Sequence, residues 1–109
     1  MIVTGWNNGS PDNETGSGYG LRLSWQDRDR YFQREWPSVT IELGEEATAE
    51  VRLAPSFWRR CTELRGAAIG KWLLHHGFAP WPKGHPPKLR LESVGGRRFR
   101  LSRDQARAV

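Results

Sequence analysis

Apolar and polar residues alternate along several stretches of the chain, which is the pattern of a β-strand with one buried face. The first stretch is residues 19–25, where the apolar positions are Tyr19, Leu21, Leu23 and Trp25. Residues 36–43 and 47–53 repeat the pattern on either side of a Gly-Glu-Glu connection, and so short a connection predicts an antiparallel hairpin. The core residues predicted in this hairpin are Val39, Ile41, Leu43, Ala49, Val51 and Leu53.

Residues 88–102 form the clearest hairpin, with two alternating segments around a pair of glycines. A loop made of residues 94–96 gives this hairpin one apolar face and one pair of opposite charges, whereas a loop of the two glycines alone would mix the faces. The predicted pairs are Leu91 with Phe99, Leu89 with Leu101, and Glu92 with Arg98. The predicted polar face carries Lys88, Arg90 and Arg100, with Arg97 at the tip.

Between the hairpins, residues 56–76 have apolar side chains at helical spacing. Ser56 is a good N-cap for this helical segment and Gly77 is a good left-handed C-cap. Gly66 weakens the segment in its middle, so the sequence leaves open whether one kinked helix or two short helices form. Gly66 and Gly70 share one face and would allow another backbone to approach closely.

The order of these elements is neither β-α-β alternation nor all-β, and it predicts an α+β fold. We expect a curved antiparallel sheet of about five strands, which could close into a small open barrel, packed on one helical segment, residues 56–76. A short helical turn capped by Asp27 follows the first strand. The chain has 109 residues and is expected to form one globular domain, residues 19–103. Polar residues and glycine predict a flexible arm at 1–18, and residues 104–109 form a short basic tail.

The charges are distributed unevenly along the chain. Residues 1–50 contain four Arg and nine Asp or Glu, a net charge of −5. Residues 51–109 contain 13 Lys or Arg and three Asp or Glu, a net charge of +10. A basic half points to a polyanion such as DNA or RNA, to an acidic protein partner, or to charges that the acidic half neutralises within one fold.

Few residues suggest catalysis or metal binding. His75 and His76 would point about 100° apart on a helix, so both cannot readily bind one ion. Cys61 is the single cysteine and lies on the predicted inward stripe, where a thiol packs as a small apolar group. No phosphate-binding loop and no pair of a general acid and a general base stand out. We therefore expect a protein that is not an enzyme and that uses neither metal nor cofactor.

The localisation expected from the sequence is cytoplasmic. A lone cysteine favours a reducing compartment. The sequence has no apolar run of the roughly 18 residues that a membrane-spanning helix needs, and no signal-peptide pattern at its start. We therefore expect no membrane association.

The cationic face of the last hairpin is the strongest functional signal. Two arginines directly across from each other, Arg90 and Arg100, would repel unless an anion lies between them. The sequence therefore predicts a nucleic-acid-binding module in which cations contact phosphates and ring side chains stack on bases. The predicted site residues are Lys83, Lys88, Arg90, Arg97, Arg100, Trp81 and His85. Two alternatives stay open: a solvated strand surface that opposes edge pairing, and a protein-interaction module, an inhibitor or accessory factor, that docks through Trp81 and its prolines.

Overall fold

The computed structural model describes residues 1–45 and 47–103 and has an α+β fold. In these two ranges, seven β-strands form one sheet, and two short α-helices and one 3-10 turn, Pro55–Trp58, pack on it. In chain order the elements are β1 (Ile2–Asn7), β2 (Tyr19–Arg22), α1 (Trp25–Tyr31), β3 (Ser38–Leu43), β4 (Thr48–Arg52), β5 (Glu63–Arg65), α2 (Ala67–His75), β6 (Lys88–Gly95) and β7 (Arg98–Arg103). No helix in the described part of the chain is long and apolar enough to cross a membrane.

The sheet is curved and nearly closed, like a small barrel. Its strand order is β4-β3-β7-β6-β1-β2-β5, and the two edge strands β4 and β5 contact each other. β3 and β7 are parallel, whereas the other neighbouring strands are antiparallel. The predicted α+β class and curved, barrel-like sheet are confirmed, with seven strands instead of about five.

The first of the two additional strands is β1, which lies where the sequence predicted part of a flexible arm. β1 pairs with β6 through residues 2–4 and with β2 through residues 4–7. Val3 is fully buried and Gly5 is also buried, while Ile2, Thr4 and Trp6 point outward. A strand with one large apolar residue on its buried face resembles a loop by composition, which is why the alternation was not recognised.

The predicted helical segment, residues 56–76, contains three different elements. The carbonyl of Ser56 accepts hydrogen bonds from the N–H groups of Arg59, Arg60 and Cys61, which closes a tight turn instead of continuing a helix. The chain then enters β5, the second additional strand, which pairs with β2 and fully buries Leu64 opposite Leu21. Only residues 67–75 form a helix, and it ends as predicted, with Gly77 in the left-handed region.

The two predicted hairpins have different outcomes. The β3–β4 hairpin is confirmed: it is antiparallel and its six predicted core residues are buried. In the β6–β7 hairpin the apolar face is confirmed but the register is wrong by two residues, because Leu91 pairs with Leu101. An irregularity between Ser93 and Gly95 shifts the ladder, and Gly95 and Gly96 both adopt positive φ at the turn. The observed pairs include Leu89 with Arg103, Glu92 with Arg100 and Arg90 with Ser102.

An aromatic cluster covers the barrel end next to α1. The side-chain oxygen of Ser24, rather than Asp27 as predicted, caps α1 by accepting from the backbone N–H of Asp27 at 3.1 Å. The buried guanidinium of Arg28 donates to the carbonyl of Phe57 at 3.2 Å, tying the helix to the 3-10 turn. The rings of the cluster are Phe32, Trp36, Phe57, Trp58 and Phe99.

α2 lies at the opposite end, near the start of β2, and buries Ile69 and Leu73. Its backbone touches the backbone of the loop before β2. A Cβ atom on Gly70 would lie 2.0 Å from the carbonyl oxygen of Gly16, and one on Gly16 would lie 2.4 Å from the carbonyl oxygen of Ala67. The expected close approach is therefore confirmed at Gly70, where the partner is a loop, but it is wrong at Gly66, where a Cβ would meet no atom within 4 Å among the described residues.

Because of this contact, replacing Gly70 by alanine should destabilise the fold, although Gly→Ala usually stabilises a helix. Gly→Ala inside a helix normally stabilises by about 0.5–1 kcal/mol, but Gly70→Ala should destabilise the fold by about 1–3 kcal/mol because the methyl group collides with the loop backbone. Urea unfolding of both proteins measures the difference.

The matched control for this prediction is Gly66→Ser, at the N-cap of the same helix. The position is extended, with φ 178 and ψ 141, and a Cβ there meets no atom within 4 Å among the described residues. Serine should therefore be neutral or stabilising. A stabilising Gly70→Ala would contradict the close contact.

Candidate functional site

The structure distributes the seven sequence-predicted site residues over three places. Lys88 and Arg90 lie on the outer side of β6. Arg97 and Arg100 lie on the turn and strand next to β3. The remaining three, Trp81, Lys83 and His85, lie in the loop between α2 and β6.

Carboxylates neutralise the arginines next to β3. Arg98 and Arg100 both donate through Nε to the carboxylate of Glu42, the second at 3.0 Å, and these bonds lower the pKa of Glu42 from its ordinary value of 4.5. Glu50 accepts from the hydroxyls of Thr40 and Ser38, which lowers its pKa as well. We call this region the paired surface; it consists of Ser38, Thr40, Glu42, Glu50, Arg97, Arg98 and Arg100.

The register removes the repulsion that the sequence predicted. Arg90 lies across from Ser102 on one side and from Ile2 on the other. Arg100 lies across from Glu92 and Glu42, two carboxylates. The argument that an anion is needed between Arg90 and Arg100 therefore no longer holds, because these arginines are not opposite each other.

A second basic surface lies on the outside of β6, β1, β2 and β5. Lys88, Thr4 and Arg22 form one row across the strands. Trp6, Gly20 and Arg65 form the neighbouring row. We call this surface the basic face; it consists of Ile2, Thr4, Trp6, Arg22, Glu63, Arg65, Lys88 and Arg90. These eight residues include four cations and one carboxylate, and Glu92, the other carboxylate on the outer side of β6, lies across from Arg100. Sequence reasoning missed Trp6, Arg22 and Arg65.

The carboxylate of the basic face orients two of its arginines. Glu63 accepts from Arg22 at 3.2 Å and from Arg65 at 2.8 Å. Its side chain is only 5% exposed, whereas those of Arg22 and Arg65 are 57% and 53% exposed. Glu63 therefore holds both guanidinium groups from below while much of their surface faces solvent.

Trp6 carries an arginine over its ring. The Cζ of Arg65 lies 4.7 Å from the centroid of the Trp6 ring, a cation–π distance. Gly20 lies between them in the cross-strand row and has no side chain to separate them. A Cβ on Gly20 would lie 2.5 Å from the carbonyl oxygen of Leu64, so the approach of β5 also requires glycine here. The alternation of β1 was the signal that could have identified Trp6.

The Trp81 loop folds back on the barrel. The ring of Trp81 packs edge-on against Tyr19, with centroids 5.6 Å apart, and approaches Gly5, where a Cβ would lie 3.1 Å from its Cη2. The backbone N–H of Gly5 donates to the carbonyl of Pro87 at 2.8 Å, which fixes the end of the loop. Trp81 is therefore half-buried, whereas Lys83 and His85 are exposed.

A groove of about 810 Å³ lies between the Trp81 loop and the loop after β1. Its lining includes Asn7, Asn13, Tyr19, Trp81 and Lys83. The hydroxyl of Tyr19 donates to Asn13, and burial raises the pKa of Tyr19. Tyr19 is buried, so the groove combines the one half-buried ring of Trp81 with side-chain amides and an ammonium group.

His75 and His76 lie at a different cleft, of about 620 Å³, between α2 and the β3–β4 turn. Burial is the main cause of the lowered pKa of His76, with His75 and Arg103 adding to it. Among the described residues, no group of three His, Cys, Asp or Glu side chains is arranged to hold a metal ion. Cys61 is partly buried and borders a small cavity of about 50 Å³ with Glu63.

Comparisons of the chain with protein-family models, with curated proteins and with solved structures give no match. We therefore infer function from the geometry of the molecular surface.

The lowered pKa of Glu42 predicts a pH-dependent contribution to stability. Because the folded-state pKa lies below 4.5, the contribution is present above that value and is lost as the pH falls through the folded-state pKa. Glu42→Gln should therefore lower the urea midpoint at neutral pH, and the difference from the original protein should shrink as the pH is lowered below 4.5 and through the folded-state pKa.

Glu14→Gln is the control for this pH series, because Glu14 is exposed in a loop and forms no ion pair among the described residues. It should leave the midpoint unchanged at each pH. A Glu42→Gln difference that persists undiminished in acid would show that the arginine bonds are not its cause.

Proposed function

We propose that this protein is a non-catalytic nucleic-acid-binding module that contacts the sugar-phosphate backbone through the basic face. The observation that carries the proposal is the group of four cations and one carboxylate, Glu63, on adjacent strands, since the other carboxylate on the outer side of β6, Glu92, lies across from Arg100. Lysine and arginine in such an arrangement neutralise phosphates and release counterions, which supplies most of the affinity of non-specific nucleic-acid binding.

The spacing of the cations supports a strand lying across the sheet. Neighbouring β-strands are about 4.8 Å apart, so Lys88 and Arg22, two strands apart, lie about 10 Å from each other at their Cα atoms. Their long side chains can reach neighbouring phosphates of one strand. The hydroxyl of Thr4 lies between them and adds a donor that phosphate oxygens accept from.

Glu63 does not cancel the basic face. A guanidinium group has five N–H donors in a fixed plane, and the bonds to Glu63 use only some of those on Arg22 and Arg65. Trp6 adds an aromatic ring beside Arg65, and aromatic rings combined with cations are typical of surfaces that bind single strands.

The four cations predicted in the β6–β7 hairpin should contribute unequally to nucleic-acid affinity. Lys88 and Arg90 belong to the basic face. Arg97 and Arg100 belong to the paired surface, where Glu42 and Glu50 compete with any phosphate. The alternative, a protein-interaction module that docks through Trp81, has less support because Trp81 packs against Tyr19.

The test compares two double variants that each remove two positive charges. Arg22→Gln with Lys88→Gln removes cations from the basic face, and Arg97→Gln with Arg100→Gln removes cations from the paired surface. Fluorescence anisotropy with a labelled single strand, over a series of salt concentrations, gives the affinity and its salt slope. We expect the first variant to lose at least about tenfold in affinity and about 1.4 units of salt slope, because two phosphate contacts are lost.

The second double variant is the matched control and should keep most of the affinity and slope. Binding that does not depend on salt would overturn the proposal. A larger loss in the second variant than in the first would move the interface to the β6–β7 hairpin and contradict the basic face.

A further inference from the structure

The cleft between α2 and the β3–β4 turn has apolar walls and the size of a small-molecule site. Its volume is about 620 Å³, within the range of roughly 300–1,000 Å³ that is usual for such sites. Ala68 and Trp72 line it from α2, and Leu43 and Ala47 line it from the β3–β4 hairpin. Ala47 and Ala68 are exposed and Trp72 is half-buried, so a ligand can bury apolar surface against all three.

Neighbouring rings fix the position of Trp72. Phe78 stacks on it with ring centroids 5.6 Å apart and an interplanar angle of 14°, and the ring of His76 lies 4.5 Å away. The Cζ of Arg103 lies 5.0 Å from the centroid of Phe78, which extends this stack. The cleft therefore presents a fixed part of the indole, and a preorganised wall lowers the entropy cost of binding.

The polar groups that line the cleft are mostly basic. Lys71 and His75 lie about one turn apart on the exposed side of α2, and His76 follows them. Glu45 is the one carboxylate among the described residues of the lining. No ion pair joins Lys71 to Glu45 or to another carboxylate in the described part of the chain, so its ammonium group is available to a ligand.

The basic groups near the end of α2 also act on one another. Burial is the main cause of the lowered pKa of His76, and the charges of His75 and Arg103 lower it further. An anion held beside these groups would favour the protonated imidazoles, because an opposite charge stabilises the charged form. The cleft therefore favours a ligand with a negative charge over a neutral or positive one.

We propose that this cleft binds a small organic anion that has an apolar ring system and one acidic group. The ring system packs against Ala47, Ala68 and Trp72, and the acidic group pairs with Lys71 and His75. This inference goes beyond nucleic-acid binding, since none of the described residues that line the cleft belongs to the basic face. Affinity increases as the pH falls from about 8 to about 5, because imidazoles gain a positive charge in this range.

Two dyes with the same ring system test the charge preference. Anilinonaphthalene sulfonate carries a negative charge, whereas phenylnaphthylamine has the same rings and no sulfonate. Both fluoresce strongly in an apolar site, so titration of protein that unfolds cooperatively in urea gives both affinities for the folded state. We expect the affinity for the sulfonate to rise about tenfold from about pH 8 to about pH 5, and the affinity for the neutral dye to stay constant.

Two double variants locate the anion site. Lys71→Gln with His75→Gln removes the proposed partners of the acidic group, and Lys83→Gln with His85→Gln removes the same residue types from the Trp81 loop. All four residues are exposed, and neither Lys83 nor His85 lines the cleft. The first variant should lose about tenfold in affinity for the sulfonate at about pH 5 and keep its affinity for the neutral dye. The second should behave like the original protein.

A pair of uncharged substitutions tests the apolar wall. Ala68→Gln adds a larger side chain to the cleft, whereas Ala67→Gln adds the same side chain at a neighbouring exposed position of α2 that does not line it. Glutamine is a good helix former, so both variants should fold. Ala68→Gln should weaken the binding of both dyes, and Ala67→Gln should weaken neither.

Three results would overturn the site. The first is the absence of saturable dye binding by the original protein. The second is sulfonate binding that does not change with pH, or that falls equally in the two double variants. The third is a loss of dye binding in Ala67→Gln as large as that in Ala68→Gln, because the dye would then lie outside the cleft.

Discussion

The backbone hydrogen bonds of β1 are the interaction on which the rest of the structure depends. Its first residues pair with β6 and its last residues pair with β2, while Thr4 pairs with both. β1 thereby joins the β4-β3-β7-β6 part of the sheet to the β2-β5 part, which otherwise meet where β4 contacts β5. The same pairing places Lys88 and Arg22 on either side of Thr4 and brings Asn7 to the groove. The fold and the basic face therefore share one structural origin.

The glycines on β1 and β2 explain why the sequence did not predict β1 as a strand. Glycine weakens a strand because it loses the most backbone entropy and packs no side chain. Gly5 nevertheless leaves room for Pro87 and Trp81, and Gly20 lets β5 approach. Local propensity was enough to predict β3, β4 and the apolar faces of β6 and β7, since those strands alternate without such demands. It could not predict β1, β5 or the register of the last hairpin, because long-range packing and a bulge determine them.

The candidate site was predictable only in part, for an electrostatic reason. The sequence identified Lys88 and Arg90 by their position on one strand. The sequence also predicted Arg97 and Arg100 as phosphate contacts. Nothing in their local sequence shows that the parallel pairing of β3 with β7 brings Glu42 to this region. Trp6, Arg22 and Arg65 come from three strands that meet only in the folded chain. Glu42 from the acidic half of the sequence thus pairs with Arg98 and Arg100 from the basic half, whereas Lys88, Arg22 and Arg65 lie on the other side of β6.

Glu63 shows how such a surface can be both basic and rigid. A carboxylate beneath Arg22 and Arg65 reduces the net positive charge, which lowers the electrostatic attraction for any polyanion. It also orients both guanidinium groups before a ligand arrives, so less side-chain entropy is lost on binding. The stacking of Arg65 on Trp6 acts in the same direction. The two effects act in opposite directions on the affinity for a polyanion: the carboxylate lowers the positive charge, and the held guanidinium groups reduce the entropy lost when a ligand binds.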